Sequence, residues 1–206
     1  MRRAAVPFAE CRERSPVYDG KTLGEQTAPI ESGTPAPGEE QHPLIFSTTV
    51  CAIVEHGGEL LMVRQLNREG EERWNFPTGW MNPHDEDGGI QLPEHVVNRN
   101  LLMETGYSAS GAVLIGISLV REHDADGRRI GTSMRLDYLC SQPRQTSYAI
   151  NDPDILGAPE WFSPGHIEEL IARGEVKGEL TAAAFRHWQE YRRGDAISGD
   201  IVDIPN

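Results

Sequence analysis

Arg99, Asn100, Met103 and Glu104 have the residue types and the spacing to build a chemical site on one helix. At about 100° per residue, Asn100, Met103 and Glu104 share a face with Val96 and Val97, Arg99 lies to one side, and residues at i, i+3 and i+4 converge on one point. Glu104 offers a carboxylate for a cation or a proton, and Asn100 a neutral carbonyl oxygen. Met103 offers a soft thioether that a hard cation such as Mg²⁺ does not select. Further oxygen donors have to arrive from loops. Asp85, Glu86 and Asp87 stand just upstream, with Glu122, Asp124, Asp152, Asp154 and Glu160 on later segments. In a chain with 32 acidic residues such clusters are, by default, solvated turns. His84, His95 and His123 have no partner at ligand spacing and read as surface residues.

These side chains need a scaffold, and the pattern supplies one. From Leu44, LIFSTTVCAIV is apolar and β-branched, His56-Gly57-Gly58-Glu59 is a hairpin turn, and LLMV is the partner strand, which continues into Arg64. Trp74-Asn75-Phe76-Pro77-Thr78-Gly79-Trp80 is a strand end breaking into a glycine turn. Trp74 and Trp80 flank that turn and, with Arg64 and Met103, are candidates to contact a ligand, Trp80 by stacking on a flat group. Leu92-Pro93-Glu94 starts the site helix, with proline where its missing N–H costs nothing, and Gly106 ends it about three turns later. GAVLIGISLV is a strand, DADG a turn, and TSMRLDYLC a strand alternating enough to be half buried. Glu160-Trp161-Phe162 precedes Ser163-Pro164, which opens a short helix over about 165–172. Leu180 to Arg193 forms a last amphipathic helix.

Gly79, an acidic loop, and then Arg99-Asn-Leu-Leu-Met-Glu104-Thr-Gly106-Tyr107 resemble the Nudix box: Gly, five residues, Glu, seven residues, then Arg-Glu-hydrophobe-x-Glu-Glu-x-Gly-hydrophobe. The flanking Trp74 to Gly79 and Glu160 to Pro164 agree with that family, and the resemblance spans about residues 44–175. It implies an α+β fold, a Nudix-like α/β/α sandwich with a mixed central β-sheet. In that family the box glutamates bind divalent metal ions that bridge a diphosphate and orient the attacking water, and the arginine holds glutamates in place. Here Asn100 and Met103 stand at two of the helix glutamate positions, Glu104 survives, and Arg99 matches the arginine. The loop glutamate falls at Asp85 or Gln91 according to where about six extra residues sit. If each lost contact costs roughly 10²–10³ in rate, two cost about 10⁴–10⁶.

The resemblance therefore implies a Nudix-type hydrolase of a nucleoside diphosphate-linked or related organic diphosphate, with a rebuilt or weakened metal site. Glu104, Arg99, Asn100 and Glu160 are its candidate catalytic residues, and Glu104, Asp85 and Glu86 its candidate ligands for Mg²⁺ or Mn²⁺. Two alternatives stay open: a metal-independent Nudix-fold enzyme of specialised metabolism, and a non-catalytic metabolite-binding or regulatory protein.

Composition bounds the rest. The 206 residues carry 19 basic and 32 acidic side chains, a net charge of −13 that argues against nucleic acid or an anionic membrane as partner and leaves room for a local basic pocket that takes a small anion. No apolar stretch is long enough to span a bilayer, and the N-terminus lacks the apolar run of a secretory signal, so a cytoplasmic location is expected. Cys11, Cys51 and Cys140 form no metal or disulfide pattern and read as buried thiols. Residues 1–43 are expected to form an arm, with four prolines and two glycines in 29–43, 44–193 the domain, and 194–206 a tail with alternating apolar residues that lies against the domain or a neighbour. The arm is read as able to exchange between subunits of a homodimer.

Overall fold

The computed structural model describes residues 47–67, 69–81, 92–146, 150 and 152–205. The hairpin of β1 (Ser47–His56) and β2 (Glu59–Leu66) turns through Gly57 and Gly58, at φ of 62° and 87°. Those left-handed conformations match the twist of the flanking strands and suit glycine. The two strands pair only at their tips, Glu55 with Leu60 and His56 with Glu59, and then part. β3 (Glu72–Asn75) runs along β2, whereas β4 (Thr78–Met81) crosses to β1, setting Gly79 opposite Val50 and Thr78 opposite Cys51. Phe76 and Pro77 carry the chain over the split, where the Ala52 N–H donates to the Pro77 carbonyl at 2.8 Å. The split is what makes room for a site.

The site helix is α1 (Pro93–Thr105); Gly106 closes it at φ 71°, its N–H donating to the Leu102 carbonyl. β5 (Tyr107–Ser108) pairs with β8 (Arg144–Gln145) away from the main sheet. β6 (Gly111–His123) and β7 (Arg129–Ser141) form a long hairpin whose turn is held by the Asp124 carboxylate, which accepts from the N–H groups of Asp126 and Arg128 at 3.0 and 2.8 Å. β9 (Glu160–Phe162) adds to β2, α2 (Pro164–Ala172) starts at Ser163, and α3 (Glu179–Arg193) follows. The Ser163 hydroxyl caps α2 by accepting the His166 N–H at 3.3 Å.

The main sheet runs β10-β6-β7-β1-β2-β3, where β10 is Ser198–Pro205; β4 joins at β1 and β9 at β2. It is mixed: β1 lies parallel to β7 and β10 parallel to β6, while the other pairs are antiparallel. Alternation along β1 sorts the core. Val50, Ala52 and Val54 pack with Val96, Val97 and Leu101 of α1, whereas Cys51 and Ile53 pack with Ile167, Leu170, Phe185 and Trp188 of α2 and α3. This is the expected α/β/α sandwich around a mixed sheet. No helix among the described residues is long and apolar enough to cross a membrane.

Two features differ from the sequence reading. β7 is buried on both faces rather than one: Arg135 and Asp137, 2 % and 0 % exposed, lie beneath α3. The reason is α3 itself, whose His187 fills the space over Gly116. The second difference is at the chain end, where Ser198–Pro205 is a full strand paired with Gly116–His123. Val202 turns inward and Ile201 outward, so the alternating apolar residues there mark a strand. The arm at residues 1–43 lies outside the described residues.

Candidate functional site

Glu104 projects from the last turn of α1 into the split between β1/β4 and β2/β3. Its side chain is 3 % exposed. Both carboxyl oxygens accept from the Thr78 N–H, at 3.2 and 3.3 Å, and Oε2 also accepts from Gln65 Nε2 at 3.4 Å. Thr78 is the first residue of β4, where the chain crosses the split, and its N–H is turned to Glu104. Gln65 is fixed in turn, since its Oε1 accepts from Asn75 Nδ2 at 3.1 Å and from Lys177 Nζ at 3.0 Å. Thr181 Oγ1 donates to Asn75 Oδ1 at 2.7 Å and anchors the chain of contacts to α3.

Burial raises the pKa of Glu104 from 4.5 to about 8, and the neighbouring Asp152 adds to the rise, while the Thr78 N–H and Lys177 oppose it. Near neutral pH this carboxyl group therefore holds a proton.

A cleft of about 510 Å³ opens around this group. Thr49, Trp80, Arg99, Asn100, Arg135, Asp152, Asp154 and Lys177 line it with Glu104, Gln65 and Thr78. Gly79 gives Asn100 its place: a Cβ at residue 79 would stand 2.2 Å from Asn100 Nδ2 and 2.4 Å from its Cγ. Asn100 Nδ2 is buried and has no hydrogen-bond partner in the structure. Trp80 is 61 % exposed at the rim, and its carbonyl accepts from Arg99 Nη2 at 3.5 Å.

The cleft thus unites Glu104, Arg99, Asn100 and Trp80 with Asp152 and Asp154 from the loop before β9. The other expected residues stand elsewhere. Arg64 lies on β2 and is engaged with the Leu156 carbonyl at 3.3 Å, with Glu72 at 3.3 Å and with the face of Trp74. Trp74 packs against the core, edge-on to Phe162 with ring centroids 4.7 Å apart. Glu160 opens β9 opposite Met62, exposed and away from the cleft lining, because β9 runs along β2 on the side remote from the split. Met103 is half-buried on α1 and does not line the cleft. Asp85, Glu86 and His84 lie outside the described residues. Glu122 and Asp124 are at the far end of the β6–β7 hairpin, and His123 lies 3.9 Å from Asp203.

Sequence reasoning missed Gln65, Asn75, Lys177 and Arg135. Gln65 carried a faint signal as a polar residue beside Arg64 at the end of an apolar run. Arg135 and Asp137 carried another, two charges on one face of β7. Cys51 and Cys140 are buried free thiols, which burial holds at about 12, so neither is a nucleophile at neutral pH.

The donor set fits a divalent metal cage poorly among the described residues. No group of three or more His, Cys, Asp and Glu side chains there stands in ligand geometry. The groups around the surviving carboxyl present N–H donors instead: Thr78 and Gln65 donate to Glu104, Asn100 at a box position holds an unused amide donor, and Lys177 adds a positive charge. A hard cation needs lone pairs from oxygen.

No protein-family model matches the chain, and no curated protein matches it. Solved structures do. One described as a NUDIX hydrolase from Nitrosomonas europaea is 23 % identical with a TM-score of 0.56, the match covering 75 % of this chain and 92 % of that one. An ADP compounds hydrolase matches at 16 % identity and a TM-score of 0.58, covering 74 % of this chain and 75 % of the other. The NUDIX domain of Shewanella oneidensis NrtR, in complex with ADP ribose, matches at 16 % identity and a TM-score of 0.53, over 77 % of this chain and 94 % of that chain. At these identities the likeness speaks to the fold.

Proposed function

This chain has the Nudix fold, and we propose that its cleft binds a nucleoside diphosphate-linked compound or related organic diphosphate through N–H donors and positive charge, without a carboxylate-held metal. One observation carries this reading. At the helix positions facing the cleft, Asn100 Nδ2 is a buried donor with no partner, and the one surviving carboxyl group already accepts from Thr78 and Gln65. A phosphate oxygen is an acceptor and answers that need, while a buried donor left unmatched costs about 1–3 kcal/mol. Holding a proton, Glu104 adds no negative charge to repel a diphosphate near neutral pH. Lys177 and Arg99 supply positive charge in a chain that is otherwise strongly acidic. Trp80 offers a flat exposed face for a base or other ring.

A second reading, hydrolysis with a rebuilt metal site, is favoured by the closeness of Asp152 to Glu104. Two carboxyl groups facing one cleft favour a cation between them, and Asp154, Asp85 and Glu86 are the candidates to join. There the metal would supply electrophilic assistance to diphosphate cleavage.

Calorimetric titration with ADP-ribose separates the two. Binding in the presence of a chelator, without phosphate release when Mg²⁺ or Mn²⁺ is restored, supports the metal-free cleft. Binding that requires the metal, is lost in Glu104→Gln, and is followed by product release supports the hydrolase.

A further inference from the structure

Arg135 sits where an internal strand would ordinarily carry an apolar residue. It lies on β7 in one register row with Thr49 of β1 on one side and Ser118 of β6 on the other. The side chain is 2 % exposed, yet it lines the cleft that holds Glu104 and Asn100. Its Nε donates to Asp137 Oδ1 at 2.8 Å. Asp137 is fully buried and its other oxygen lies 2.7 Å from His187 Nδ1 on α3. Gly116 is what lets the histidine in, because a Cβ there would stand 2.0 Å from His187 Nδ1. His187 Nε2 lies 3.5 Å from Asp200 without a hydrogen bond, and Asp200 pairs with Arg186 at 2.7 Å. Thus the Nε–H of the guanidinium is held by a chain of polar contacts that runs from β7 to α3.

The Cys51 thiol lies beside the guanidinium but offers no oxygen acceptor. Arg135 Nη2 is buried and has no hydrogen-bond partner. An arginine stays charged at any physiological pH and has no lone pair to offer, so this atom accepts one kind of neighbour only, an oxygen acceptor, best an anionic one. The guanidinium fork matches phosphate geometry.

We propose that Arg135 is an anion-binding residue of the cleft, its guanidinium taking a phosphate oxygen of the ligand, with Asp137 and His187 as the positioning residues that aim it. This rests on the reading of the cleft as a diphosphate site and names the group that receives the charge. The same register row continues from Thr49 to Trp80. Arg135 and Trp80 are therefore two strand spacings apart, about 10 Å. The ligand carries its phosphate at one end of that span and a planar group at the other.

The test is calorimetric titration of the full chain with inorganic pyrophosphate in the presence of a chelator. Arg135→Gln is expected to weaken binding about 10- to 100-fold, the worth of one charge-assisted hydrogen bond, and Arg135→Lys to fall between it and the wild type. A folded Arg135→Gln with wild-type affinity overturns the proposal. If Arg135→Gln does not fold, Thr49→Glu reads the same question, because its carboxylate stands in register beside Arg135 and pairs with the guanidinium from within. It is expected to keep its melting temperature and to lose pyrophosphate binding at least about tenfold, with Thr49→Gln, equal in bulk and uncharged, losing less. Equal losses in the two Thr49 variants, or no loss in Thr49→Glu, overturn the proposal. Wild-type chain that binds ADP-ribose but shows no Arg135 dependence refutes the anion site alone. Wild-type chain that binds neither ADP-ribose nor pyrophosphate refutes the cleft reading and this inference with it.

Discussion

Glu104→Gln is expected to stabilise the protein in a pH-dependent manner. In the folded chain the Glu104 carboxyl group titrates at about 8 and in the unfolded chain at its ordinary 4.5, so between those values the native state binds the extra proton. Stability is then greatest below the unfolded value and falls as pH rises toward 8. Integrating the single-site linkage from about pH 5 to about pH 9 gives a loss of about 4 kcal/mol from this one group. Glutamine has no such titration. It keeps an oxygen for the Thr78 N–H, and its amide faces Gln65 Nε2, a donor-to-donor contact that costs about 1 kcal/mol unless Gln65 turns. Glu104→Gln should therefore be level with the wild type or slightly less stable near pH 5, and about 3 kcal/mol more stable near pH 9. For a domain of this size that amounts to roughly 6–12 °C in melting temperature. Thermal unfolding of both proteins across the pH range, without metal, measures it. Parallel melting curves against pH would refute the assignment of a buried, protonated Glu104. A wild-type curve that flattens only on adding Mn²⁺ would show the metal taking the place of the proton.

Gly116→Ala should cost at least about 3 kcal/mol, since the new Cβ collides with the His187 ring and leaves Asp137 with a broken partner in the interior; chemical denaturation of the variant checks this. Trp80→Ala should change stability by less than about 0.5 kcal/mol, because the side chain is largely exposed. It should weaken ADP-ribose binding while leaving pyrophosphate affinity unchanged, as competitive titration with the two ligands would reveal. ADP-ribose affinity in the wild type should also decline as pH rises through about 8, where Glu104 becomes an anion facing the diphosphate.

The helix and the turns were legible because their signals are local. Pro93 and Gly106 bound α1 from the chain itself, and Gly57-Gly58 specified the hairpin by backbone conformation alone. The face shared by Asn100 and Glu104 followed from helical spacing and does meet the cleft. Three things were not legible, each for a non-local reason. The parting of β1 from β2 depends on β3 and β4 choosing different partners, and only that split brings Gln65 and Asn75 to Glu104. Lys177 arrives from a segment far beyond the helix in sequence, whereas Asp152 was legible only as one of several loop acids. The polar face of β7 read as solvent-facing because Arg135 and Asp137 are charged, and the helix that buries them comes from the far end of the chain. Trp74 and Trp80 show the same limit, since identical residues flanking one turn end up in the core and at the cleft rim.

The most direct test of a metal-free diphosphate cleft is a crystal structure of the chain grown with ADP-ribose and Mn²⁺, with data collected to show the anomalous signal of manganese. The account predicts diphosphate oxygens within hydrogen-bond distance of Asn100 Nδ2 and the ring of the ligand on Trp80, with no manganese bonded to Glu104. A manganese ion coordinated by a Glu104 oxygen and bridging to the diphosphate would contradict it.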